Sequence, residues 1–368
     1  MKNNILFKLM TLSLKTVLII LVIGFTGTSA FAKGKVEEKA KKTIQIKKSI
    51  KAIKTGDGAP ELTEEASLAI DRGLKFLAST QKADGSWDSD GKGGRVIAIT
   101  SLAMMAFMAN AQFPGFGKYG KELDRAKDYM LKKAKERKDG YLGGTMYEHG
   151  LATLALSEIW GMTKSKEDDD RIQKALEDAV DVIKRSQNPG GGWRYQPQAD
   201  GGEDTSVTAM VFIALASARQ AGVMVENEVI AKFIKYVKHA RDGKTGGFSY
   251  APNGNGGTSM PCTAGLSYAG QLAGLRNTEI ITGAIRLLKK QTNIFNNAGH
   301  YYYCHYYAIQ SMVQAGDKEY EAWYPKIRDA LIGKQNALGN WGSKEKYATP
   351  IAIIILSTPH RYIPIYQR

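Results

Sequence analysis

A chain of 368 residues with 43% apolar content can bury a substantial core, as one large domain or two small ones. Its net charge of +15 points to nucleic acid only until the charge is located: three Lys stand in residues 1–32, an excess of +7 in residues 33–56, and +5 remains for the rest. No basic stripe with interleaved aromatics marks that remainder, so the balance excludes a nucleic-acid partner.

From the N-terminus, Lys2, Lys8 and Lys15 precede an apolar run from Val17 to Phe25, and Ala30, Phe31 and Ala32 form a small-residue, cleavage-like site. This is the layout of a secretory signal peptide over residues 1–32. The alternative is an uncleaved membrane anchor, although the run is shorter than the ~20 residues a spanning helix needs. The first reading makes the protein exported, periplasmic or secreted; the second makes it membrane-anchored. Residues 33–60 read as a Lys-rich leader or linker able to contact anionic lipid, at ~1 kcal/mol per Lys near such a surface. The domain proper is expected over residues 61–368.

Two kinds of helix alternate through that domain. Residues 123–137, 171–186 and 227–240 carry apolar residues at three- and four-residue spacing among many charges, which predicts amphipathic helices. Residues 96–109, 149–160, 204–218, 259–273, 303–315 and 348–357 are small and apolar nearly all round, and a helix of that kind must be buried. No alternating strand pattern of useful length appears.

The boundary between the two kinds repeats. Gln81, Gly85 and Trp87 recur at the same spacing as Gln187, Gly191 and Trp193, and as Gln335, Gly339 and Trp341. Ala134, Arg241 and Gln291 hold the corresponding slot in degenerate copies, and the six slots are 53, 53, 54, 50 and 44 residues apart. Such a period marks stacked supersecondary units. The simplest arrangement is all-α: six helix hairpins, with the apolar helices in an inner ring and the amphipathic ones outside.

The segment Arg72–Trp87 resembles the QW motif of squalene and oxidosqualene cyclases, with Arg72, Gly73, Phe76, Leu77, Gln81, Gly85 and Trp87 at its positions. The resemblance covers roughly residues 66–358 and implies the α/α toroid of the squalene-cyclase and protein-prenyltransferase superfamily. Six helix pairs complete one toroid, as in a prenyltransferase β subunit, whereas triterpene cyclases use two. In that family the Gln caps a helix end and the Trp stacks across the turn, so the motif implies a fold more than an activity.

The residues at the start of the inner helices are then the candidates for chemistry. Glu203 and Asp204 resemble the end of the cyclase acid segment, with Gly201 where its first Asp belongs; as catalytic residues they would protonate an alkene. Asp204 also reads as a helix N-cap. His149 aligns with Asp204, and Glu148 stands beside it, a grouping suited to acid–base work or to polar lining. Cys262 resembles the zinc-binding Cys of the prenyltransferases, but Met260 holds the slot of their Asp. Cys304 and His305 lie on the next inner helix. A disulfide, two buried thiols and a zinc site all remain open for the two cysteines, so metal and cofactor stay unassigned, with zinc the one named option. Tyr303 and its neighbours, among them Tyr147 and Tyr307, suit an aromatic cavity wall.

Incomplete catalytic motifs on an intact scaffold favour an exported binding toroid for an apolar small molecule, a peptide or a protein partner. The alternatives are a terpene-cyclase-type isomerase using Glu203 and Asp204, or a toroidal enzyme acting on a glycan through carboxylates such as Glu148, Glu203 and Asp204.

Overall fold

The computed structural model describes residues 62–367, apart from 90–93, 200, 253–256, 292 and 297. The segments 1–32 and 33–60 lie outside the described residues. Twelve α-helices follow one another among the described residues: α1 Glu64–Ser79, α2 Val96–Met108, α3 Gly120–Glu136, α4 Met146–Ile159, α5 Lys166–Arg185, α6 Thr205–Gln220, α7 Asn227–His239, α8 Met260–Gly270, α9 Glu279–Lys290, α10 Tyr301–Ala315, α11 Asp317–Lys334 and α12 Glu345–Leu356. Extended pairing among these residues is limited to isolated bridges in the turns.

The even-numbered helices pack in order from α2 to α12, and α12 packs back on α2, which closes an inner ring. The odd-numbered helices lie outside it, and α1 packs on both α11 and α12. The fold is an α/α toroid. Burial follows composition: α2 buries every residue after Val96, whereas α7 buries only Phe233, Tyr236 and Val237. A helix without a polar face is stable only when neighbours surround it, and the ring supplies them.

The three Gln–Gly–Trp copies make one shared set of bonds. The indole Nε1 of Trp87, Trp193 and Trp341 donates to the carbonyl ten residues earlier, on Leu77, Ile183 and Leu331, at 2.8, 2.8 and 2.7 Å. The Nε2 of Gln81 and Gln187 donates both to its own turn, at Gly85 O and Gly191 O, and to the next outer helix, at Glu122 O and Val229 O. The Gln is thus a tie between repeats rather than the cap of a single helix. Gln335 does the same across the ring closure: it bonds Gly339 O and Ala69 O, while Arg72 donates to its Oε1. The last repeat therefore grips the first.

Gly191 shows why the turn needs glycine. Its φ is +98°, and a Cβ there would fall 1.9 Å from the Lys232 carbonyl oxygen of the next outer helix. Beyond α12 the chain crosses the far end of the ring, where the inner helices finish. Tyr268 Oη donates to Ile365 O at 2.7 Å, Tyr306 and Tyr366 join hydroxyls at 2.6 Å, and Ile365 is fully buried.

Candidate functional site at the mouth of the ring

The opposite end, where the inner helices begin, gathers Asp204, Cys262, Tyr147 and Tyr303. Its polar groups are set by the helix starts. Thr145, Asp204 and Ser259 are the N-caps of α4, α6 and α8. The Oδ1 of Asp204 accepts from Ser206 N at 2.8 Å, Ser206 Oγ at 2.5 Å and Val207 N at 3.0 Å. The capping role is therefore real, and it satisfies donors that every helix leaves open at its first turn. The carboxylate is 3% exposed and lies close enough to Cys262, Tyr250 and Tyr303 for its charge to oppose their ionisation.

Four residues later on each helix stand His149, Thr208 and Thr263. Thr208 Oγ1 accepts the N–H of Trp193 at 2.9 Å, and Thr263 Oγ1 that of Phe248 at 3.0 Å. His149 Nδ1 accepts the N–H of Leu142 at 2.9 Å. His149 thus occupies the slot of Thr208, not that of Asp204, and it points away from the axis. Its Nε2 donates to Ala179 O on α5 at 3.0 Å, so the neutral ring spans from the turn to the outer layer. Burial pushes its pKa down to about 4. His305 is also turned outward: Nε2 meets Ile294 O at 2.9 Å, and Tyr301, Phe295 and Trp323 pack round the ring. Burial again brings it to about 4. Both imidazoles are fully buried and bond away from the axis.

Glu203 is also directed elsewhere. Its side chain lies over the glycine run before Trp193: a Cβ on Gly190 would fall 2.0 Å from Glu203 Oε1, and one on Gly192 would fall 2.8 Å from its Cγ. Those glycines open a slot that takes the acid into the turn, so Glu203 and Asp204 do not form a pair facing the axis. Glu148 stays local as well, its Oε2 accepting from Gly144 N at 3.4 Å. Cys262 and Cys304 are free, buried thiols, raised by burial to about 11 and about 12. Among the described residues no three His, Cys, Asp or Glu side chains converge as a metal site, because His305 faces the wrong way to complete a set with the cysteines.

Tyrosines fill the axis just inside the mouth. Tyr147 on α4 and Tyr307 on α10 meet hydroxyl to hydroxyl at 2.8 Å. These helices are opposite one another in a ring of six, so the bond spans it. Tyr307 Oη also donates to Met210 Sδ on α6 at 3.2 Å, and the Tyr303 ring packs edge-on against Tyr307 at 4.8 Å. The hydroxyl of Tyr303 is buried without a hydrogen-bond partner among the described residues and faces Gly265, where a Cβ would come within 3.6 Å.

Two rim residues escaped the sequence reading. Tyr195 and Tyr250 are 40% and 48% exposed, and their hydroxyls meet at 3.1 Å. Their carbonyls accept the first N–H of α4 and α6, from Met146 and Thr205, at 2.8 and 2.9 Å. Each stands two residues after a buried turn aromatic, Trp193 or Phe248, and that offset was the available signal.

No protein-family model and no curated protein matches the sequence. Solved structures do match. An inactive variant of the α-1,6-mannanase GH76A of Salegentibacter sp. HEL1_6, in complex with α-1,6-mannotriose, is 8% identical over 81% of this chain and 99% of that one, with a TM-score of 0.59. The type II terpene cyclase MstE from Scytonema, in complex with geranylgeranyl dihydroxybenzoate, is 13% identical over 81% of this chain and 98% of that one, with a TM-score of 0.55. Its apo form gives 15%, 82%, 100% and 0.52. At such identities the likeness establishes the α/α toroid, the fold implied by the cyclase resemblance, and one fold hosts many activities.

Proposed function

We propose that the chain is a binding protein that takes its ligand on the mouth of the toroid and lacks cyclase chemistry. The Tyr147–Tyr307 hydrogen bond carries this reading. Folding a long isoprenoid for ring closure needs an axial chamber beneath the acid, and here bonded tyrosines occupy that volume. The seating of the Glu203 side chain over Gly190 and Gly192 supports the same view, since it leaves Asp204 without the second carboxylate of either catalytic alternative.

An oligosaccharide is the ligand class that fits the rim. Tyr195 and Tyr250 offer two adjoining aromatic faces with hydroxyls at the edge, an amphipathic surface suited to sugar rings. Arg194, exposed and held on Gly201 O at 2.7 Å, stands beside them as a donor. The mannanase neighbour is a toroid of this kind with an oligosaccharide bound. With the signal-like segment at 1–32, this reading places the binding outside the cytoplasm, and the Lys-rich leader would hold the protein near anionic lipid.

Titration with α-1,6-mannotriose and a panel of unrelated oligosaccharides tests the reading, with products monitored in parallel. Binding without consumption, lost in Tyr195→Ala/Tyr250→Ala, is the expected result. Cyclisation of geranylgeranyl dihydroxybenzoate or squalene that disappears in Glu203→Gln/Asp204→Asn would replace it with the cyclase reading.

A further inference from the structure

The far end of the toroid carries a separate groove of about 360 Å³ between the third and fourth repeats. Phe212, Leu215 and Ala216 of α6 form one side, Val225 closes the end, and Leu272 and Ala273 form the other wall. The floor is firm, because Phe212 stacks on Phe233 with ring centroids 3.6 Å apart and planes 9° off parallel. The second wall is the end of α8. Residues Gln271–Leu275 prolong that helix across a kink at Gly274, whose φ of 90° suits glycine at a helix end. Leu272 and Ala273, just before the kink, face the groove.

The polar groups lining this groove are Arg219 and Gln220. Arg219 is exposed, and no carboxylate pairs with it among the described residues. The nearby Glu226 is already held by Lys184 at 2.8 Å. An apolar pocket of a few hundred Å³ with one or two placed polar groups is the usual form of a small-ligand site. A peptide backbone would find few hydrogen-bond partners along this lining, whereas a hydrocarbon chain needs none, and an anionic head would meet the free guanidinium.

We propose that this groove binds a single-chain anionic amphiphile, with the acyl chain between α6 and the kinked end of α8 and the carboxylate on Arg219. This site is independent of the mouth and of the reading proposed for it.

Calorimetric titration of the full chain with straight-chain carboxylates from octanoate upward tests the proposal, with dodecanol as the uncharged control. Affinity should rise about fourfold per added methylene until the groove is full. Dodecanoate should bind about tenfold more tightly than dodecanol, a preference that Arg219→Gln should erase. Ala216→Trp should abolish binding of both. Leu272→Asn, which puts an amide on the half-buried apolar wall, provides a second way to weaken binding if Ala216→Trp does not fold. Tyr195→Ala/Tyr250→Ala should leave dodecanoate binding unchanged, which separates this site from the rim. Equal binding of dodecanoate and dodecanol would overturn the proposal. So would intact binding in a folded Ala216→Trp, or sedimentation with phosphatidylglycerol vesicles in the absence of any free-amphiphile binding.

Discussion

The third repeat closes its turn with Trp193 and Thr208, the second with Leu142 and His149, and the same backbone N–H is satisfied in both. In the third repeat the indole fills the space behind the turn and donates to Ile183 O. In the second, Leu142 stands at the turn and His149 Nε2 donates to Ala179 O on α5, the outer helix of the next repeat, rather than to the helix before the turn as the indole does. One geometry is thus built from an uncharged set of groups and from a set with a titratable member. The difference predicts that the two repeats respond differently to truncation and to pH.

Truncation should give the largest effect. Trp193→Ala should cost ~3–5 kcal/mol in denaturant unfolding, the range for a large buried aromatic. An unchanged unfolding midpoint would break the equivalence of the turns.

The histidines give the next effect. Their folded pKa values, about 4, lie below the ordinary 6.5, so the unfolded chain binds more protons between those limits. Stability should be fully present above about pH 6.5 and fall as pH drops towards 4, each histidine accounting for on the order of 3 kcal/mol. Chemical denaturation across this window should show His149→Gln with a shallower slope than the parent. An identical slope would show that His149 does not sit neutral in the folded chain.

Ring closure should follow. Gln335→Ala removes bonds to Gly339 O and Ala69 O and leaves Arg72 without its partner, at ~1–3 kcal/mol. Hydrogen exchange should rise in α1 and α11 more than in α5 and α7. A uniform rise would mean that the first and last repeats are joined chiefly by packing.

The smallest effect is capping. Asp204→Ala and Thr145→Ala should each lose ~1 kcal/mol, and Asp204→Asn much less, since asparagine caps nearly as well. A much larger loss for Asp204→Asn would give its charge a role beyond the cap.

The sequence by itself determined the toroid. Gln, Gly and Trp at fixed offsets mark the turns, and helices apolar all round have nowhere to go but the inside of a ring; both are local patterns that survive in one dimension. The same property hid the site. A helix such as α4 or α10 has no polar face, so nothing in its sequence says which side meets the axis. Only packing decided that Tyr147 and Tyr307 point inward while His149 and His305 point to the outer layer. Glu203 was hidden for a related reason: whether it faces the mouth depends on room over Gly190 and Gly192, which stand more than ten residues earlier and meet it only after the turn has closed. Local spacing fixes the hairpins, whereas the direction of a buried side chain is set by the neighbours that leave it space.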